Sequence, residues 1–319
     1  MKNYKFFIQV IFFIVSVFAC FIFFREYDFS TIKQLPLITV FILLFIRILN
    51  FGVYQLSSYY LYTSFNEKIT LSNLILINNC STVSNYTTPV KIGFPIQAFL
   101  LKKIFNISYN KSAIIILTSL FVSIVTASIL SIISIFFLPS INNNSIDLLI
   151  KIFIMFGFVL SVLVMIYFIK NKNLSKIGNY PIVKKINELI NYLRKVNFLK
   201  LGLSWILALM SFFINAIMLK IIITSLNENA DISLLFIIQG LPYLLGMLSM
   251  IPLGLGVKDA TLSYLLSQFG ITPEVAIISS VILRIFMSGF SILMGIFSAN
   301  YLLKKNVSLL AEFKKMRSK

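Results

Sequence analysis

A chain of 319 residues that is 59% hydrophobic and 12% charged, with a strongly positive mean hydropathy, falls with polytopic membrane proteins, not with soluble globular ones. Its formal charge of +18 would suggest nucleic acid in a soluble protein. Here the lysines cluster between apolar runs, where they report orientation and contact with anionic lipid headgroups, so no nucleic-acid binding is expected. The absence of histidine excludes His-based acid–base relays, Ser-His triads and most transition-metal sites, while Cys20 and Cys80 have no ligand-like spacing; no metal or cofactor is expected.

Lys2 and Lys5 precede an apolar run, Phe6 to Phe24, long enough to cross a hydrocarbon core of about 30 Å. It reads as a first span. A cleaved signal peptide with Val17 to Cys20 as a lipoprotein-type site competes, but it calls for a shorter run and a smaller residue than Phe18. A second span runs from Pro36 to about Leu61, interrupted by Arg47 and ending in an interfacial cluster of Tyr54, Tyr59, Tyr60 and Tyr62.

Leu71 to Leu76 is apolar but runs into Asn78 to Thr88, too polar to face lipid across a bilayer. After Pro89-Val-Lys-Ile-Gly93 a second short apolar stretch, Phe94 to Leu101, leads to Lys102 and Lys103. Two short halves around a polar break read as a re-entrant hairpin, with a surface loop folded over the membrane as the competing reading.

Ser112 to Leu138 and Asp147 to Ile169 are further spans, and Lys170 to Lys200 is a strongly basic loop, expected to be cytoplasmic. Leu201 to Ser225 is apolar and carries Trp205, Asn215 and Lys220; the acidic turn Asn227 to Asp231 after it fits the outside. Ile232 to Ile251 is apolar but holds Gln239, Pro242 and Gly246, and is followed by the break Pro252-Leu-Gly-Leu-Gly-Val-Lys-Asp259. Glu274 to Leu303 is the last long helix, before a basic tail over 304–319.

If the N-terminus, the 170–200 loop and the tail are cytoplasmic, residues 69–110 start and end inside while 232–273 start and end outside. Two hairpins then dip into the membrane from opposite faces. Pro89 to Gly93 and Pro252 to Gly256 share the pattern P-x-x-x-G at an offset of 163 residues, and the same offset superposes the flanking spans. The expected fold is an all-α polytopic membrane protein with about six full spans plus two re-entrant helical hairpins, eight segments in total. It forms an inverted repeat in a single integral membrane domain: repeat one over 6–138, repeat two over 147–303, with both termini cytoplasmic. Inverted repeats with broken helices place substrate at the repeat interface.

Candidate site residues follow from depth and charge. Arg284 lies near the midplane by its position in the last helix, where a guanidinium needs a partner. Two readings stand side by side: a structural pair with Asp259, and a phosphate receptor formed with Lys258 and the helix start after Gly256. Arg47 is a second deep cation, with snorkelling to the interface as its alternative. Lys91 and Gln97 would line the opposite hairpin, and Asn215 would complete the cavity. Pro89, Gly93, Pro252, Gly254 and Gly256 let the chain turn and helices approach.

The run Pro252 to Asp259, then Gly270 and Ala276 to Arg284, resembles the C-terminal signature of the lysylphosphatidylglycerol synthetase/flippase transmembrane-domain family. Pro89 to Leu101 with Ile107 and Ser108 resembles its N-terminal signature. Phe94 and Gln97 stand where relatives carry an acidic and a basic residue, and Asp259 stands where they carry glutamate. The resemblance implies movement of an anionic or modified phospholipid between leaflets, in the plasma or inner membrane of a prokaryote. It implies membrane lipids with anionic headgroups as partners, beside a lipid-modifying enzyme or a second copy. With 16 residues after the last helix, aminoacyl transfer is not expected, and the chain is expected not to be an enzyme. A membrane-embedded enzyme acting on a lipid-linked substrate and a non-transporting scaffold or regulator are the alternatives.

Overall fold

The computed structural model describes residues 35–87, 92–137, 192, 195–249, 251 and 254–305. The expected spans Phe6–Phe24 and Asp147–Ile169, nearly all of the 170–200 loop, the tail beyond residue 305, and Pro89, Lys91 and Pro252 lie outside the described residues. The helices are α1 Leu37–Ser64, α2 Leu71–Thr87, α3 Gly93–Phe105, α4 Tyr109–Phe137, α5 Phe198–Ser225, α6 Ile232–Ile237, α7 Gly240–Leu248, α8 Val257–Gln268, α9 Pro273–Arg284 and α10 Phe290–Lys305. A π-helical turn over Ile285–Gly289 joins the last two into one rod.

Among the described residues, four stretches are long and apolar enough to cross a membrane: Leu37–Ser64, Tyr109–Ser134, Phe198–Ser225 and Pro273–Leu302. They fall on four of the six full spans read from the sequence. On α1 the large side chains Phe41, Phe45 and Ile48, at i, i+4 and i+7, are exposed, whereas Arg47, Asn50 and Ser57 are buried. Apolar outside and polar inside reverses the pattern of a soluble helix, as expected where lipid is the solvent and polar groups must find partners within the protein. The chain is a multi-pass helical membrane protein.

The helices α1 and α5 form the central pair and run antiparallel. Asn197 N donates to the Ser64 carbonyl at 2.8 Å, Ser57 Oγ to the Ser204 carbonyl at 2.8 Å, and Asn50 Nδ2 to the Ser211 carbonyl at 2.9 Å, so one sequence number falls as the other rises. Small side chains at 57 and 204 let the backbones approach, and hydrogen bonds supply the adhesion that the hydrophobic effect cannot provide between helices in lipid. Asn197 also caps α5, its Oδ1 accepting from Leu199 N and Lys200 N at 3.1 and 3.2 Å.

The first hairpin departs from the sequence reading in one respect. The polar run expected to be its break is helical from Asn78 to Thr87, and α2 continues through it. The reason is that its amides have partners: Asn78 Nδ2 donates to Gln55 Oε1 at 3.0 Å, Gln55 Nε2 to Asn79 Oδ1 at 3.2 Å, and Asn79 Nδ2 to Ser298 Oγ at 3.1 Å. Thr82 and Ser84 bond back to the carbonyls of Asn78 and Cys80. Helix α3 then packs back on α2, with Ser81 Oγ donating to the Gly93 carbonyl and Gly93 N to Asn85 Oδ1. The second hairpin is two helices, α6 and α7, bent at residues 238–239, followed by α8.

Each hairpin returns to the end from which it leaves. Lys111 at the start of α4 pairs with Glu67 just after α1 at 2.8 Å, and Glu228 just after α5 accepts from Thr272 N and Oγ1 at the start of α9, at 3.1 and 2.5 Å. These two ties are related by a common displacement of 161 residues, as are Asn66 and Asn227, which end α1 and α5 with φ of 60° and 64°. Because α1 and α5 are antiparallel, the two hairpins leave from opposite ends of the central pair. At the first end Tyr192 donates to Glu67 at 2.8 Å and stacks on Phe65, and burial together with the Glu67 carboxylate holds its phenol above the usual tyrosine range, so it stays a donor.

Candidate functional site

A cavity of about 440 Å³ lies between the central pair and the two hairpins, with walls from α1, α2, α3, α4, α5, α7, α8, α9, the π-helical turn and α10. That volume is in the range of small-molecule sites. Its electrostatics are set by Arg47, Lys258, Asp259 and Arg284, all of which line it.

The second-half charges are held by the turn before α8. Gly254 and Gly256 have φ of 60° and 77°, a region closed to most side chains. A β-carbon on Gly254 would stand 2.9 Å from Gly246 Cα, so the glycine also admits α7. Asp259, three residues into the turn's helix, accepts from Gly256 N through Oδ2 at 3.3 Å and from Arg284 Nε through Oδ1 at 2.6 Å. Arg284 Nη2 reaches the Gly254 carbonyl at 3.4 Å, while its Nη1 is buried with no hydrogen-bond partner among the described residues. Lys258, the neighbour of Asp259, faces the same space, and no hydrogen bond or ion pair engages it among the described residues.

Arg47 comes from the first half. It is 5% exposed, so it does not snorkel to a helix end. Its Nη2 donates to Ser291 Oγ at 2.8 Å and the Met287 carbonyl at 3.3 Å, its Nη1 to Asn50 Oδ1 at 3.5 Å, and its guanidinium carbon lies 5.1 Å from the Phe290 ring centre. Met287 lies within the π-helical turn, so Arg47 grips the irregular segment that follows Arg284; such turns occur often at functional sites. Arg47 Nε, like Arg284 Nη1, is buried and has no hydrogen-bond partner among the described residues.

Asn215 faces the cavity and accepts from Asn50 Nδ2 at 2.9 Å, joining the central helices at the cavity wall. Of the residues singled out from sequence, Arg47, Asn215, Gly254, Lys258, Asp259 and Arg284 thus meet at one cavity, with Gly256 capping α8 beside it. Gln97 does not line it: its Nε2 donates to Tyr62 Oη at 2.8 Å and Asn78 Oδ1 at 3.0 Å, within the network that fixes the first hairpin. Gly93 likewise serves hairpin packing, its α-carbon against the Ser81 carbonyl.

The sequence reading missed Asn50, Tyr54, Tyr86 and Tyr243, all of which line the cavity. Tyr54 was grouped with interfacial tyrosines and is instead part of the wall. Asn50 carried a usable signal, an isolated amide within an apolar span; the tyrosines carried none that separates a cavity wall from a membrane interface.

Fold and site together define a polytopic α-helical membrane protein with a cavity lined by three cations among the described residues. Residues 7–295 match the family described as the lysylphosphatidylglycerol synthase TM region, and the chain belongs to that family. No curated protein matches it.

Proposed function

We propose that the protein moves an anionic or modified phospholipid between membrane leaflets through this cavity, with its two hairpins acting as opposed re-entrant elements of an inverted repeat. The observation that carries the reading is the meeting of two largely buried arginines, from opposite halves of the chain, at the wall of one cavity, each with one nitrogen that has no hydrogen-bond partner among the described residues. A guanidinium fork fits a phosphate, and an unpaired donor in a low-dielectric cavity is costly until a ligand fills it. Asp259 holds Arg284 in register until a headgroup phosphate competes for it.

The repeat is supported by the matched ties at Glu67–Lys111 and Glu228–Thr272 and by a matched packing scheme. Helix α2 packs on α10, where a β-carbon on Gly295 would meet Val83, and α7 packs on α4, where one on Gly240 would meet Ser131. Lys111 and Lys195 lie at the end where Glu67 is, and the positive-inside bias assigns that end, with both termini, to the cytoplasm of a prokaryotic cell. Partners on this reading are anionic lipids and a lipid-modifying enzyme or second copy; no aminoacyl transfer by this chain is invoked.

Reconstitution into liposomes with labelled phosphatidylglycerol tests the reading. Movement between leaflets above that of protein-free liposomes is expected, reduced about tenfold or more by Arg284→Ala through loss of a charge-assisted phosphate contact. Equal rates with and without protein would remove the proposal. Chemical turnover of the headgroup would assign an enzyme instead.

A further inference from the structure

The charges around the cavity do not balance, and the imbalance points to a narrower class of ligand. Arg47, Lys258 and Arg284 face Asp259, the one carboxylate among the described residues that line the cavity. Both oxygens of that carboxylate are already engaged, Oδ1 by Arg284 and Oδ2 by the Gly256 amide. The asparagine carbonyl oxygens at the cavity are engaged as well: Asn215 Oδ1 accepts from Asn50 Nδ2, Asn50 Oδ1 from Ser211 Oγ and Arg47 Nη1, Asn79 Oδ1 from Gln55 Nε2, and Asn85 Oδ1 from Gly93 N. The charge left over is cationic: Arg47, Arg284 and the Lys258 ammonium stand against one engaged carboxylate, and Arg47 Nε and Arg284 Nη1 make no hydrogen bond among the described residues.

A headgroup ammonium brought here would meet three cations and no free carboxylate. A phosphodiester would bring one negative charge and leave a cation uncompensated in a low-dielectric space, which is costly. A phosphomonoester brings close to two negative charges at neutral pH and three strong acceptor oxygens, matching the excess of three cations over one carboxylate. We propose, resting on the lipid-transport reading above, that the cavity takes a lipid whose headgroup is a phosphomonoester or diphosphate without an aminoacyl group. The two arginines grip it from opposite halves of the chain, and Lys258 supplies the second compensating charge.

Purified full-length protein in neutral detergent, titrated with short-chain phosphatidic acid, geranylgeranyl diphosphate, phosphatidylglycerol and lysyl-phosphatidylglycerol, tests this by dissociation constant. The monoester and diphosphate lipids should bind about tenfold more tightly than phosphatidylglycerol, and the lysyl lipid more weakly still. Because no hydrogen bond or ion pair engages Lys258 among the described residues, Lys258→Gln should fold and bring the ratio of monoester to diester affinity to about one, the loss of one charge contact. An unchanged ratio in that variant, or lysyl-phosphatidylglycerol binding as tightly as phosphatidic acid, would overturn the assignment. Inorganic pyrophosphate is the remaining arm: binding as tight as that of the lipid diphosphate would keep the headgroup chemistry and overturn a lipid as its carrier.

Transport measured with the same lipids separates the two readings. Lysyl-phosphatidylglycerol crossing as fast as phosphatidic acid sinks the headgroup inference and leaves lipid transport standing. No movement of any lipid, with the binding ratio intact, removes transport and keeps the headgroup assignment.

Discussion

Arg284 commits Nε to Asp259 and Nη2 to a backbone carbonyl, and Asp259 commits its second oxygen to the helix start, so each group orients the other and the turn between them. Both side chains are mostly buried, at 17% and 6% exposure, which makes this pair expensive to break from one side only. Asp259→Asn leaves a guanidinium buried without its counter-charge and should cost about 3–5 kcal/mol. The double variant Asp259→Asn/Arg284→Gln removes both charges and should recover most of that loss, read as thermal midpoints in detergent. Additive single effects would show that the pair is not coupled. The pair was legible in the sequence because a charge inside an apolar run needs an opposite charge nearby, and Asp259 is 25 residues from Arg284. The destination of Arg47 was not, since its acceptors lie 240 and 244 residues away along the chain.

At the scale of the helices, close approach at two glycines holds the hairpins to the long rods. A β-carbon at Gly295 would stand 2.5 Å from Val83 Cβ and 2.9 Å from the Asn79 carbonyl; one at Gly240 would stand 2.6 Å from Ser131 N. Helix backbones block both positions, so Gly295→Ala and Gly240→Ala should each cost about 1–3 kcal/mol by forcing the helices apart. Gly52→Ala and Gly202→Ala are the controls: nothing lies within 4 Å of the added carbon, and in a helix interior alanine should be neutral or stabilising by up to about 1 kcal/mol. A Gly295→Ala midpoint at or above that of Gly52→Ala would refute the tight contact. Long apolar runs made α1, α4, α5 and α9–α10 readable, because their periodicity needs no knowledge of neighbours. Helix α2 was misread at Asn78 to Thr87 because polarity along a sequence does not say whether Gln55 and Ser298 will be there to accept it. The π-helical turn left no mark in composition at all.

For the whole molecule, the decisive question is which ends of the hairpins share a side of the membrane. The ties at Glu67–Lys111 and Glu228–Thr272 bring the two ends of each hairpin together, and the antiparallel central pair places those ties at opposite ends of the bundle. Long hydrogen-bonded connections of this kind could not be read from the sequence; only the alternation of basic and acidic loops hinted at them. With Cys20 and Cys80 replaced by serine, single cysteines at Lys68 and Tyr109 flank the first hairpin, and single cysteines at Asn229 and Glu274 flank the second; all four positions are exposed. In inside-out vesicles a membrane-impermeant thiol reagent should label Lys68→Cys and Tyr109→Cys and spare Asn229→Cys and Glu274→Cys, and in intact cells the pattern should reverse. Labelling of Lys68→Cys and Tyr109→Cys from different sides would make α2 and α3 together a crossing segment. The opposed-hairpin arrangement would then fall even if the cavity and its three cations remained, because a site reached from both faces depends on two segments that enter and leave on their own sides.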